Sequence, residues 1–262
     1  MSKSLENEPL ENQSSGSQSS GNPAPVSKLY SQYAEQYDTA VQDNIYNAHY
    51  ERPSLQALIG EVAGCDVLDL GCGTGVYAQY MLDNGAEKLT CIDYSPEMVE
   101  IVNRKFGGSF SDRVTCYAQD LSTGLPNEAD ESMDLVISPL MIHYLEDLTP
   151  LFSDIARVLR KGGRFVFSTH HPFADIECST SGNYFEREIV RDVWDTVGVP
   201  VDVQFFRRSL TEIMQAISGS GMVVTGMNEG MVSEAVKAMS EDHYAFLSTK
   251  PNFIFIACQK PA

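Results

Sequence analysis

No run of apolar residues approaches the roughly 20 that a membrane-spanning helix requires, and the N-terminus has neither the apolar segment of a secretory signal nor the Arg-rich character of a transit peptide. These absences predict a cytoplasmic protein without a membrane partner. Basic residues are scarce: 18 Lys+Arg against 36 Asp+Glu leave a formal charge of 18 − 36 = −18. With no local block of Lys and Arg to override that field, nucleic acid is excluded as an expected partner. The six cysteines, Cys65, Cys72, Cys91, Cys116, Cys178 and Cys258, include no pair at the short spacing of zinc ribbons or redox dithiols. Most lie in or beside apolar runs and read as reduced core thiols. No metal site is expected.

What is present is enough for one full hydrophobic core. The chain has 262 residues, 43% of them hydrophobic, and a domain of this size buries most of the surface its unfolded chain exposes. Residues 1–27 contain eight serines and no aromatic residue, so they read as a disordered tail. The domain is expected over residues 28–262. Tyr30, Tyr33 and Tyr37 recur at helical spacing and predict one face of a short helix.

From about residue 50, apolar stripes at helical spacing alternate with short apolar runs. Strands are expected at 67–70, 88–93, 114–118, 133–138 and 164–169, with helices at 76–82, 98–106 and 150–159 between them. Lys161-Gly162-Gly163 reads as the stop of the last of these helices. Such alternation implies an α/β fold, a doubly wound, mostly parallel sheet with helices on both faces. The interval between the fifth strand and the apolar run at 222–225 is far longer than one crossover helix needs. Within it, residues 183–208 carry alternating apolar positions and predict an antiparallel insertion, followed by a helix at 209–218. A final apolar run at 253–258 completes the sheet.

The most informative segment is Val67-Leu68-Asp69-Leu70-Gly71-Cys72-Gly73-Thr74-Gly75. A strand running into three alternate glycines lets the backbone turn sharply and approach a ligand, with a helix N-terminus following. Asp93 ends the next strand, 22 residues beyond Gly71, where a carboxylate accepts hydrogen bonds from a ribose diol. A helix cap is the alternative role for Asp93. The dinucleotide fingerprint needs glycine where Val76 stands, and no G-K-[ST] phosphate loop occurs.

Taken together, Asp69 to Gly75 and Cys91-Ile92-Asp93-Tyr94-Ser95 resemble the first two motifs of the class I methyltransferases that depend on S-adenosylmethionine. The likeness covers roughly residues 28–170. It implies a Rossmann-like sheet of seven strands, with the glycine loop holding the methionine portion of the cofactor and Asp93 holding its ribose. The cofactor-binding residues it implies are Gly71, Cys72, Gly73, Asp93 and Tyr94, with Asp120 and Leu121 after the third strand, Met98 over the adenine, and Ser138. S-adenosylhomocysteine would be the product. Asp134 through Leu145 is similar to the small-molecule branch that includes the quinone-biosynthesis methyltransferases. Ser138-Pro139 departs from the Asn/Asp-Pro-Pro-aromatic sequence of nucleic-acid amino methyltransferases, which weighs against base methylation.

The expected reaction is therefore in-line methyl transfer to a small molecule, a process in which alignment supplies much of the rate. His170 and His171 end the fifth strand and are candidates for taking a proton near neutral pH. Each has a structural hydrogen bond as its alternative role. His143, Tyr184 and Trp194 are candidates for contact with the acceptor. Tyr30 and Tyr37 are candidates for covering the sulfonium, since aromatic faces attract cations, with core packing as the alternative. Methylation of a protein or RNA and cofactor binding without turnover remain the competing functions. The sequence leaves the accepting atom and the oligomeric state open.

Overall fold

The computed structural model describes residues 27–262; the expected tail over 1–27 lies, apart from Ser27, outside the described residues. The chain order is α1 (Ala34–Ala40), α2 (Arg52–Ile59), β1 (Asp66–Leu70), α3 (Val76–Asp83), β2 (Lys88–Asp93), α4 (Pro96–Phe106), β3 (Val114–Ala118), β4 (Met133–Ser138), α5 (Thr149–Val158), β5 (Leu159–His170) and α6 (Pro172–Asp175). It continues through β6 (Glu188–Trp194), β7 (Val201–Arg207), α7 (Leu210–Gly219), β8 (Val223–Asn228), α8 (Glu234–Met239), α9 (Glu241–Leu247) and β9 (Phe253–Gln259). Seven strands form one sheet in the order β3-β2-β1-β4-β5-β9-β8, with β9 antiparallel to both neighbours. The order in which strands are added reverses between the parallel neighbours β1 and β4, and ligands of open α/β sheets bind at that switch point, beyond the carboxyl ends of the strands.

The apolar strands are covered on both faces. One face buries Phe152 of α5 and Ile213 and Ile217 of α7 against Phe165 and Phe167 of β5. The other buries Leu55 and Ile59 of α2 and Ala78 and Met81 of α3 against Val67, Ile137, Val166 and Phe255. Each fully buried side chain of this size contributes about 2 kcal/mol, which is why these strands read as unbroken apolar runs. The start of α4 follows from local chemistry: the Ser95 hydroxyl accepts the Met98 N–H at 3.3 Å and Pro96 opens the first turn.

Three expectations shift. Tyr30 precedes α1 rather than lying on it, although its ring still meets Tyr37 edge-on with centroids 5.2 Å apart. Helix α5 ends at Val158, earlier than the glycine pair suggests. The cause is the C-terminal chain: Gly162 N donates to Lys260 O and Lys260 N to Gly163 O, both at 2.9 Å, drawing residues 159–163 into the sheet edge. Helices α8 and α9 are additional, each started by a serine side-chain cap, Ser233 and Ser240.

The insertion is a β6–β7 hairpin, a separate antiparallel pair with Val190 opposite Phe205 and Trp194 opposite Val201. Its base is fastened by Arg207, only 2% exposed. The Arg207 guanidinium pairs with Glu188 and donates to Asn183 O at 2.7 Å and Ser179 Oγ at 2.9 Å. Arg207→Met is therefore expected to release residues 179–187 and accelerate tryptic cleavage at Arg187. Cleavage at the wild-type rate would show that the fastening lies elsewhere.

Candidate functional site

The glycine loop turns at the carboxyl end of β1 because three of its residues adopt backbone angles that favour glycine: Gly71 at φ 74°, Gly73 at φ 52° and Gly75 at φ 81°. A Cβ on Gly71 would lie 2.4 Å from Met141 Cγ, whereas one on Gly73 would meet nothing within 4 Å. The loop is thus closed behind Gly71 and open in front of Gly73. Asp93 shapes it from the next strand, its Oδ2 accepting the Gly73 N–H at 2.8 Å and its Oδ1 the Ser95 N–H at 2.9 Å. Burial raises the Asp93 pKa, and these backbone donors oppose the rise.

Asp69 lies at the base of the same loop and is fully buried. Among the described residues, neither of its carboxylate oxygens has a hydrogen-bond partner, and Ser138 Oγ at the end of β4 has none either. Burial, then the charges of Asp93 and Glu51, push the Asp69 pKa well up. A buried carboxyl group without a partner is costly. Beside an open backbone cradle it suits a ligand that brings a positive charge.

Residues 27–41 cover this end of the sheet. Tyr30 and Tyr144 share a hydrogen bond at 2.6 Å between their hydroxyls, and Ser95 Oγ donates to Tyr30 O at 2.6 Å. Burial is the main cause that raises the pKa of Tyr30 and of Tyr37, with a further contribution from the charge of Asp93. Two ion pairs tie α1 to α4, Arg104 to Glu35 at 2.8 Å and Lys105 to Asp38 at 2.5 Å. The Lys105 ammonium also donates to Thr74 O of the glycine loop at 3.0 Å. Met98 is buried against Ala34 and Ile101, with Tyr30 and Tyr37 packed on them. Cys72 is buried, Tyr94 is exposed at the end of β2, Asp120 caps the 3-10 turn Leu121–Thr123 through the Ser122 N–H at 2.9 Å, and Leu121 is buried.

The histidines separate in role. His170 stacks on His143 with ring centroids 4.1 Å apart and meets Phe205 edge-on at 4.4 Å, with Trp194 at 6.0 Å. Asp175 Oδ1 lies 3.4 Å from His170 Nδ1. Burial, then the charges of His170 and Arg208, hold the His143 pKa well below its ordinary value, and its Nδ1 lies 3.3 Å from Thr169 Oγ1. His171 has both ring nitrogens engaged: Nδ1 accepts the Phe173 N–H at 3.1 Å, so Nε2 carries the proton and faces Glu229 Oε1 at 3.0 Å. That ring caps α6. Tyr184 is likewise engaged, its hydroxyl accepting the Leu210 N–H at 3.0 Å. Trp194 joins Tyr30, Tyr33 and Tyr37 in one apolar cluster with Leu29, Val201 and Val203, so the covering segment and the hairpin meet over the sheet.

Four residues of this region are not among the candidates read from the sequence: Glu51, Tyr144, Phe205 and Arg208. Glu51 lies in the π-helical turn Asn47–Glu51, whose spacing follows neither the helical nor the strand period. Arg208 follows β7 and is 5% exposed, with Nε and Nη1 lacking hydrogen-bond partners; Nη1 lies 3.8 Å from Glu212 Oε1.

Sheet order, glycine loop and acid at the end of β2 define a nucleoside-cofactor fold of the methyltransferase type. Comparison with known proteins agrees. A methyltransferase domain matches residues 68–167. An uncharacterized protein of Haemophilus influenzae is 26% identical over 82% of this chain and 88% of its own length. The demethylmenaquinone methyltransferase of Tropheryma whipplei is 30% identical over 55% of this chain, which spans 58% of that enzyme. An S-adenosylmethionine-dependent methyltransferase of Mesorhizobium loti shares the fold with a TM-score of 0.63, 23% identity and coverage of 85% of this chain and 99% of its own. Residues 68–167 thus match a methyltransferase domain, and the fold is that of an S-adenosylmethionine-dependent methyltransferase. Among the described residues, no helix is long and apolar enough to cross a membrane.

The unpartnered Asp69 and the open face of Gly73 fit the methionine end of that cofactor, and Asp93 fits its ribose. Replacing Asp93 by Ala removes the Gly73 tether together with the carboxylate expected to accept the ribose diol. S-adenosylhomocysteine affinity is expected to fall by about 1 to 3 kcal/mol, read by calorimetry, and an unchanged value would remove Asp93 from the site.

Proposed function

We propose that this methyltransferase modifies a small molecule held between the β6–β7 hairpin and the His143–His170 stack, with His170 as the proton acceptor. The cofactor supplies an electrophilic methyl carbon on its sulfonium. Gly71, Gly73, Asp69 and Asp93 bind it, and Tyr30, Tyr37 and Tyr144 close over it and exclude water. Asp175 opposite Nδ1 sets the His170 tautomer so that Nε2 is the nitrogen free to take a hydroxyl or thiol proton as the acceptor attacks.

The observation that carries this reading is the His170 ring itself. It ends β5 at the ligand edge of the sheet, walled by His143, Phe205 and Trp194 and backed by Asp175. An aromatic surface suits a flat or apolar acceptor, which agrees with the likeness to a demethylmenaquinone methyltransferase. The net charge of −18 opposes approach of a nucleic acid.

The test is turnover of methyl-labelled S-adenosylmethionine against a panel of quinols, phenols and thiols. For an acceptor so found, His170→Gln is expected to lower kcat by about 100-fold and Asp175→Asn by less, both with unchanged S-adenosylhomocysteine affinity. Full activity in both variants would remove the pair from the mechanism. Cofactor binding with no acceptor consumed would favour a binding module.

A further inference from the structure

Glu51 is 3% exposed, yet no cation is hydrogen-bonded to it. Its carboxyl group accepts the Tyr77 hydroxyl at 3.0 Å and the Ser168 hydroxyl at 2.7 Å. Ser168 Oγ in turn accepts the Leu140 N–H at 3.0 Å, and Leu140 holds a φ of 48° in the turn that brings Met141 against Gly71. Glu51 is therefore built into the back wall of the glycine loop.

The sheet register places it with Asp69. Asp69 pairs with Ile137 and Ile137 with Val166. Since side chains alternate faces along a strand, Ser168 lies on the same face as Val166 and hence as Asp69. Glu51 is bonded to Ser168 on that face and to Tyr77 of α3, and its charge acts on Asp69. The other groups that face Glu51 are Arg52 on its own turn, whose Nη2 is committed to Val41 O at 2.7 Å, Tyr77, and Tyr37 of α1. Asp93 faces Asp69 from β2.

Resting on the cofactor assignment above, we propose that Glu51 and Asp69 together form the counter-charge for the ammonium group of the cofactor, and that binding expels a proton from this pair to solvent. Two acids buried side by side do not both ionise without a cation between them. Burial raises the Glu51 pKa to about 7, against the opposing pull of the Ser168 and Tyr77 hydrogen bonds. The arriving ammonium reverses the balance, so affinity strengthens as pH rises through neutrality.

The test is calorimetric titration of the full chain at pH 6.5 in phosphate and in an amine buffer, which differ in protonation enthalpy. S-adenosylhomocysteine is expected to release up to about one proton per molecule bound. 5′-Methylthioadenosine, which shares the nucleoside but lacks the amino-acid end, is expected to release none, and this comparison needs no variant. Glu51→Gln keeps a hydrogen-bonding group of the same size and is expected to abolish the release and weaken S-adenosylhomocysteine about tenfold at pH 8. Equal proton release for the two ligands, no release for either, or release that survives Glu51→Gln overturns the proposal. Failure of both ligands to bind overturns the cofactor assignment itself.

Discussion

A carboxyl group with no partner sits at the centre of this molecule. Asp69 is buried near the end of β1, where the strand order reverses, and among the described residues neither oxygen is hydrogen-bonded. Stability alone does not favour such a residue, because an apolar side chain of similar volume would be tolerated better there. The surrounding structure is arranged around it: Gly71 and Gly73 carry no Cβ, Met141 seals one side, and Asp93 holds the loop open through the Gly73 N–H. Burial and the charges of Asp93 and Glu51 together hold the Asp69 pKa well up.

The acceptor side follows a different principle. Rings replace charges: His143, His170, Phe205 and Trp194 contact one another within 4.1 to 6.2 Å of centroid separation. Apolar walls around one imidazole suit a reaction whose main demands are alignment and removal of one proton. The division between His170 and His171 shows how much rests on context. The two are adjacent in sequence, yet one stands among these rings with an acid behind it and the other is consumed by a helix cap and Glu229.

The parallel sheet was legible in the sequence because each of its inner strands is an apolar run bounded by a turn signal, as in Val67 to Leu70 before Gly71. The cofactor end was legible because a glycine pattern and an acid at the next strand end are local features. The rest depends on contacts across long stretches of chain. Tyr30 meets Tyr144, Glu51 meets Ser168, and His170 meets Phe205. No periodicity announces such pairings, and the π-helical turn carrying Glu51 breaks the spacing by which helices are read. The early end of α5 has the same origin, since Lys260 pairs with Gly162 and Gly163 from the far end of the chain.

Lys105 joins two parts of the chain that are distant in sequence. Its ammonium binds Asp38 on the covering helix and the Thr74 carbonyl of the glycine loop. Displacing the covering helix would therefore disturb the loop's hydrogen bonding as well. Cover and loop are thereby coupled through a single ammonium, and a change at either one alters the hydrogen bonding of the other.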